Sequence, residues 1–456
     1  MVSMEKIFRL KENNTNVRTE VTAGLTTFMT MAYILAVNPA ILGTTGMNTN
    51  GILIATSIAS LIGCFLMGFM ANLPIALSSA MGLNAFFAYT VVANMGVPWQ
   101  TALFAVFCEG VIFIILSLTT VREAIFNAIP VSLKKGVSVG IGLFIAFIGL
   151  QNAGLCVDAS TLVTITSFRT DFHTHGICAL LAVTGLFITA ILWIKNVKGS
   201  ILIGIMATWV LGMLCQLTGL YTVDMENGFY SLFPSGVVSF DFSSLGETFG
   251  QCFTVGVKGT TILNFVVIMF SFLFVDMFDT IGTLIGVCSR AGFLDKDGKL
   301  PVIRPALLTD AIATTCGAIM GTSTTSAFVE SSAGVAQGGR TGLTAVTTGV
   351  LFGLAAFFSP LFTAIPAFAT APALIVVGFL MFEGIREIPL GKGSYHDAIP
   401  CYLCIIAMPL FYSISEGISI GVISYVVINL ACGHRDKITP LMYVLAILFI
   451  CKYIFL

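Results

Sequence analysis

Two acidic residues lie within a long apolar stretch of the sequence, where an ionised side chain is costly. Asp276 and Asp279 share this stretch with Thr280 and Thr283. The four residues follow the spacing i, i+3, i+4 and i+7, so a helix places them on one face. Ionisable groups inside a membrane span are rare and mark ion or substrate pathways. The pattern therefore predicts a polar stripe that faces the interior of the protein.

A third acid, Glu330, and an amide, Asn84, lie in segments rich in Ser, Thr, Gly and Ala. All four His residues fall in loops or at the ends of apolar runs, so we expect carboxyl groups to carry protons. Burial favours the neutral form of a carboxyl group and lets it alternate between protonated and ionised forms near neutral pH. Asp279 and Glu330 are the first candidates for this role, and Asp276 is the third.

Other acids are open to a plainer interpretation. Glu109 and Glu416 are expected to be interfacial, near the ends of their apolar runs. For Asp310, a functional and a structural role are about equally supported. The alternative for Asp276 is that its side chain only caps or braces an interrupted helix.

A planar heterocycle suits this set of polar groups. Its N–H donors can pair with a carboxylate, an Asn amide can donate and accept at once, and an aromatic face can stack. Phe86, Phe87, Phe278 and Phe328 flank the polar residues. The chain holds 38 Phe, so packing in the core or against lipid is the alternative for each of them.

The composition excludes a soluble domain. Of 456 residues, 57% are hydrophobic and 9% are charged, which is too few charges to cover a water-facing surface. The net charge of −1 argues against a nucleic-acid partner, which requires a basic surface. The twelve Cys residues are scattered without metal-ligand spacing, so we expect no metal site. The sequence stays polar as far as Glu20 and predicts no signal peptide.

Apolar runs separated by Gly, Pro and polar breaks predict an all-α polytopic membrane protein with about fourteen transmembrane spans. The predicted spans are 22–42, 51–71, 76–93, 100–118, 133–150, 177–194, 200–220, 258–287, 306–320, 324–338, 341–362, 370–383, 397–413 and 416–432. With the N-terminus and C-terminus in the cytoplasm, all Lys and Arg residues except Arg169 and Lys258 fall in cytoplasmic segments. The apolar tail at 439–456 either spans the membrane or lies along its surface.

The third and tenth predicted spans are short and poor in helix-forming residues. They are offset by seven spans, and interrupted segments at matching positions in two halves indicate an inverted-repeat transporter with its site at the midplane. The fifth and twelfth spans also match, since each holds a Gly-containing apolar run shortly after Pro130 or Pro372. These features predict a 7+7 inverted repeat with discontinuous spans 3 and 10.

The sequence resembles the azaguanine-type purine permeases of the nucleobase cation symporter-2 (xanthine/uracil permease) family. The resemblance covers essentially the whole chain. It rests on four stretches: TEVTAGLTTFMTMAYILAVNP at 19–39, MGLNAF at 81–86, FDTIGTL at 278–284 and FVESSAGVAQGGRTG at 328–342.

The resemblance implies the uracil-permease fold. Its core domain would comprise residues 22–118 and 258–362, its gate domain residues 133–220 and 370–432, and residues 433–456 would form a C-terminal tail. The resemblance also places Asp279 and Glu330 on the purine, with Gly82 and Asn84 contributing from the third span. In related uracil permeases the position of Thr283 is His, so a proton relay through His is not available here.

The residues and the resemblance together predict import of adenine, guanine or hypoxanthine by proton symport through alternating access. The candidate substrate-binding residues are Asp279, Glu330, Asn84, Gly82, Phe86, Phe328 and Thr283. The expected partners are a purine base, a proton and the lipid bilayer of the inner membrane, with no cofactor besides the proton gradient; a homodimer is left open.

The alternative function is that of an anion or other small-solute carrier of the same architecture. A membrane-embedded enzyme is disfavoured because no nucleophile with a His partner, metal cluster or phosphate-binding Gly loop is present.

Overall fold

The computed structural model describes residues 4–118, 129–159, 162–169, 171–224, 229–294, 300–391 and 393–455. Within these ranges the first half contains the helices α1 (Met4–Phe8), α2 (Val17–Met31), α3 (Ile34–Leu42), α4 (Thr49–Leu66), α5 (Met81–Ala85), α6 (Trp99–Leu118), α7 (Val131–Asn152), α8 (Ile177–Ile194) and α9 (Ser200–Leu217). The second half contains α10 (Cys252–Val255), α11 (Ile262–Ala291), α12 (Ile303–Met320), α13 (Ser331–Ala336), α14 (Gly342–Ala355), α15 (Ser359–Thr363), α16 (Ala367–Phe382), α17 (Tyr395–Leu410), α18 (Ile414–Ala431) and α19 (Pro440–Phe455). The strands are β1 (Leu77–Ser79), β2 (Cys156–Ala159), β3 (Leu162–Ile165) and β4 (Thr325–Ala327).

The first membrane span is divided into two helices. α2 begins after Asn16, whose side chain accepts a hydrogen bond from the Thr19 backbone N–H at 3.0 Å, a regular N-cap. The α2 helix ends at Met31, and α3 starts at Ile34. The interruption leaves Tyr33 between the two helices, with its side chain 1% exposed.

The third and tenth spans each begin as a short strand and continue as a helix. β1 and β4 pair in an antiparallel sheet, with Ser78 opposite Ser326 at its centre. The sheet is extended by a hydrogen bond from Ala80 N–H to the Thr324 carbonyl at 2.9 Å and by one from Phe328 N–H to the Ala76 carbonyl at 3.1 Å. Extended backbone at membrane depth is tolerated only where the protein satisfies its polar groups, and this pairing does so.

The remaining helices pack in two groups. In one group α4 packs on α14, α6 packs on α12, and α2 packs on α14. In the other, α7 packs on α16 and α17, α17 packs on α18, and α8 packs on α9 and α16. Glycine permits the closest approaches: a Cβ on Gly142 would lie 2.8 Å from the backbone oxygen of Gly378, so α7 and α16 are in backbone contact.

Each predicted span overlaps an observed helix or strand–helix unit. In the described part of the chain, nine helices are long and apolar enough to cross a membrane, among them the first span from Val17 to Thr45. The exact number of crossings, fourteen, stays a prediction. The C-terminal tail forms α19, which packs on α18 with the Tyr453 hydroxyl bonded to Glu416.

Candidate functional site

Glu330 lies where the β4 strand gives way to the α13 helix, at the N-cap position of that helix. The Tyr33 hydroxyl donates a hydrogen bond to Glu330 Oε1 at 2.7 Å. Tyr33 lies where the helix of the first span is interrupted, and Glu330 lies where the strand of the tenth span changes to a helix. This bond therefore joins the irregular parts of the two spans. Glu330 is half-buried, so part of its side chain is accessible.

Asp279 approaches the same place from α11. The Ser326 hydroxyl, at the centre of β4, donates a hydrogen bond to Asp279 Oδ2 at 3.1 Å. Asp279 is also half-buried, and it lies close enough to Glu330 for the two carboxyl groups to interact electrostatically. The two acids expected to carry the chemistry are therefore neighbours, and each is oriented by a hydroxyl group.

Asp276 lies behind this pair, in a fully buried cluster. The Thr280 hydroxyl lies 3.3 Å from Asp276 Oδ1 and 2.9 Å from Asp310 Oδ2. It is also 3.1 Å from the Ser326 hydroxyl. Three residues of the predicted polar stripe thus face the antiparallel β1–β4 pair, which we call the strand crossing. Asp279 and Thr280 contact Ser326 of β4, and Asp276 is joined to it through Thr280. Thr283 lies one helical turn further along and is half-buried.

Asn84 is buried beneath the crossing and is held at both ends of its amide. Its Nδ2 donates to Asn38 Oδ1 at 2.6 Å, and its Oδ1 accepts from the Ser79 hydroxyl at 3.1 Å. Asn38 in turn donates to the Thr322 hydroxyl at 3.0 Å. These bonds join the first span to the third span and to the loop that precedes β4, so Asn84 has a bracing role in this conformation.

Gly82 faces the second helix group. A Cβ at this position would lie 2.8 Å from Ile141 Cγ2 on α7, so only glycine allows α5 to approach so closely. Phe86 is fully buried and makes an edge contact with Phe272, with ring centroids 5.0 Å apart. Gly82 and Phe86 therefore both pack the third span against neighbouring helices, Gly82 against α7 and Phe86 against α11.

Phe328 is 8% exposed, and its neighbour Val329 is 44% exposed. Because these residues directly precede Glu330, an apolar surface adjoins the accessible acid. The side chain of Phe278, which the sequence also suggested for stacking, lies outside the described residues.

Sequence reasoning missed several groups that hold the acids in place. In the sequence, Tyr33, Ser326 and Asn38 are ordinary polar residues of apolar or small-residue segments, and only the three-dimensional structure reveals their partners.

The interfacial position predicted for Glu109 is wrong: this residue is fully buried, and the Thr324 hydroxyl donates to its Oε2 at 3.3 Å. A signal was present, since residue 109 is in the middle of the predicted span 100–118.

A neutral molecule with N–H donors could bond to the accessible parts of Asp279 and Glu330 beside the apolar surface at Phe328. Among the residues that the structure describes, no group of three or more His, Cys, Asp or Glu side chains is arranged to hold a metal ion. The expectation that no cofactor is needed stays a prediction.

The two interrupted spans, their crossed strands and the paired acids define a polytopic membrane transport protein. The chain belongs to the Permease family, whose model matches residues 18–420. It is therefore a multi-pass membrane protein and a permease rather than an enzyme, and the predicted family is confirmed.

Two curated relatives match along almost their whole lengths. The guanine/hypoxanthine permease PbuO of Bacillus subtilis strain 168 is 45% identical over 451 residues, covering 97% of this chain and 98% of the relative. The adenine permease AdeP of Escherichia coli K12 is 41% identical over 455 residues, covering 99% of this chain and 96% of the relative.

A solved structure confirms the fold class. The transmembrane domain of the cyanobacterial bicarbonate transporter BicA superposes with a TM-score of 0.64, covering 89% of this chain and 97% of that domain. The two sequences are 14% identical, so this likeness concerns the fold alone.

Proposed function

We propose that this protein imports purine nucleobases, namely adenine, guanine or hypoxanthine, by proton symport through alternating access. The observation that carries the proposal is the identity of 41% to 45% with purine permeases over nearly the whole chain. The presence of two acids at the strand crossing supports it, since Asp279 and Glu330 can accept N–H groups of a neutral base and can bind protons.

In this mechanism the purine binds between the strand crossing and the facing helices. Glu330 and Asp279 accept hydrogen bonds from the base, and Phe328 contributes apolar surface; Phe86, buried against Phe272 in this conformation, would have to become accessible to do the same. Asp279, Glu330 and Asp276 are the candidates for the proton, which offsets the cost of holding negative charge inside the membrane. An anion carrier is less compatible with this site, because carboxylates repel an anionic substrate.

Alternating access would move a core domain, residues 22–118 and 258–362, against a gate domain, residues 133–220 and 370–432. The site would stay near the midplane while access changes from one side to the other. The close packing of Gly82 against Ile141 supports a boundary between the two domains at this point. Import into the cytoplasm across the inner membrane, with both termini cytoplasmic, completes the proposal.

The proposal is tested by expressing the protein in cells that lack purine uptake and measuring the accumulation of radiolabelled hypoxanthine. Unlabelled adenine, guanine, hypoxanthine and uracil are added in turn as competitors. We expect accumulation that purines compete away and that a protonophore abolishes. Failure of all three purines to be taken up would contradict the substrate class, and full uptake after collapse of the proton gradient would contradict symport.

A further inference from the structure

We propose that Tyr33 is a positioning and specificity-determining residue, whose hydroxyl fixes the Glu330 carboxylate in the orientation that accepts the substrate. This inference rests on the proposed function and adds a residue that the sequence did not suggest. The observations behind it are the 2.7 Å hydrogen bond to Glu330 Oε1 and the burial of the tyrosine.

The position of Tyr33 follows from the break in the first span. The regular helical pattern is interrupted at Ala32 and Tyr33, although the backbone of both residues keeps right-handed helical angles. The backbone carbonyl of Tyr33 accepts hydrogen bonds from the N–H groups of Ala36 and Val37, which starts α3 and fixes the tyrosine backbone. The ring is 1% exposed, so its packing leaves the hydroxyl little freedom.

The hydroxyl therefore reaches Glu330 from a rigid support. A phenol has one hydrogen to donate, and the short contact with Glu330 uses it. Glu330 begins α13, and its side chain would otherwise be free to rotate about its own bonds. Holding Oε1 sets the plane of the carboxylate and therefore the direction in which Oε2 can accept a donor from a bound molecule.

Tyr33 also lies within electrostatic range of Asp279. Of the two acids, its direct contact is with Glu330. Its expected role is to make Glu330 prefer a base whose N–H group arrives along one direction. Purines differ in the positions of their N–H donors and ring acceptors, so this direction discriminates among them.

The test compares Tyr33→Phe with the wild type, both purified as full chains and reconstituted into liposomes with an inward proton gradient. Phenylalanine keeps the ring and removes only the hydroxyl. We expect the KM for radiolabelled hypoxanthine to rise roughly 10-fold or more, as for loss of a hydrogen bond to a charged group, with a smaller change in maximal rate. We also expect the ranking of adenine, guanine and hypoxanthine as competitors to change.

Tyr402→Phe is the matched control, because Tyr402 is an exposed tyrosine on α17. It should leave both the KM and the ranking unchanged.

An unchanged KM together with an unchanged competitor ranking would overturn the inference. Absence of the Tyr33→Phe protein from the membrane would overturn it too, since the hydroxyl would then be a requirement for folding. A wild-type protein that transports no purine would instead contradict the proposed function itself.

Discussion

Ser78 and Ser326 are register partners at the centre of the antiparallel sheet that joins the two interrupted spans. On either side of this pair, Ala80 bonds to Thr324 and Phe328 bonds to Ala76 in matching positions. The arrangement is nearly symmetric about the two serines, as expected for two halves related by an inverted repeat. It places the breaks of both spans, and with them Glu330, at one point in the fold.

Substitution of Ser326 tests whether the pairing of β1 with β4 orients the Asp279 carboxyl group. Its hydroxyl donates to Asp279 and contacts Thr280. Ser326→Ala should therefore raise the KM for hypoxanthine roughly 10-fold or more through loss of a hydrogen bond to a charged group. Ser323→Ala is the matched control, because the Ser323 hydroxyl is buried in the same segment without a hydrogen-bond partner among the described residues. Equal KM values for the two variants in uptake assays would contradict the role of Ser326.

Glu330 is predicted to be indispensable for binding. Glu330→Gln keeps the size of the side chain but replaces one acceptor oxygen by a donor. We expect high-affinity purine uptake to be lost while the protein stays in the membrane, as measured by uptake and immunoblotting. Glu387→Gln removes an exposed acid that pairs with Lys135 at 2.8 Å and should transport normally. Near-normal uptake by Glu330→Gln would remove this residue from the site.

Asp279 is predicted to contribute to proton coupling. Uptake by the wild type should rise as the outside pH falls, because symport draws on an inward proton gradient. Asp279→Asn cannot bind or release a proton at this position, so its uptake should depend less on pH. The measurement is the initial rate of hypoxanthine uptake across a range of outside pH values. A pH profile with the same shape as that of the wild type would assign proton coupling to another carboxyl group.

Gly82 is predicted to permit movement between the two helix groups. A methyl group at this position would approach Ile141 Cγ2 to 2.8 Å and force α5 away from α7. Gly82→Ala should therefore lower the maximal rate of uptake at normal protein abundance. Gly286→Ala is the control, since a Cβ at Gly286 on α11 meets no atom of the described residues within 4 Å. A maximal rate of uptake equal to that of the wild type would show that the close contact between Gly82 and Ile141 is not needed for the transport cycle.

The sequence predicted those parts of the fold that depend on local composition. Apolar runs located the helices within a few residues, because crossing a membrane imposes a length and a composition on each segment. The scarcity of helix formers identified the third and tenth spans as interrupted. It could not reveal that Ser78 pairs with Ser326, because strand pairing between distant segments leaves no local pattern.

The candidate site was predictable to the extent that its groups are costly to bury. Asp279 and Glu330 stand out in apolar segments, and the structure brings them together at the strand crossing. Tyr33 was not predictable in this way, because a tyrosine in an apolar run is compatible with core packing and with a position at the membrane surface. Glu20 shows the same limit: it follows a polar stretch, yet it is fully buried and accepts the backbone N–H of Arg340 at 2.9 Å.

The most direct test of the account follows proton movement together with the purine. Purified protein is reconstituted into liposomes that contain a pH-sensitive dye, and hypoxanthine is added outside without any imposed gradient. The account predicts that the interior becomes more acidic as hypoxanthine enters, and that neither change occurs with Glu330→Gln. Entry of hypoxanthine with no acidification of the interior would contradict proton symport.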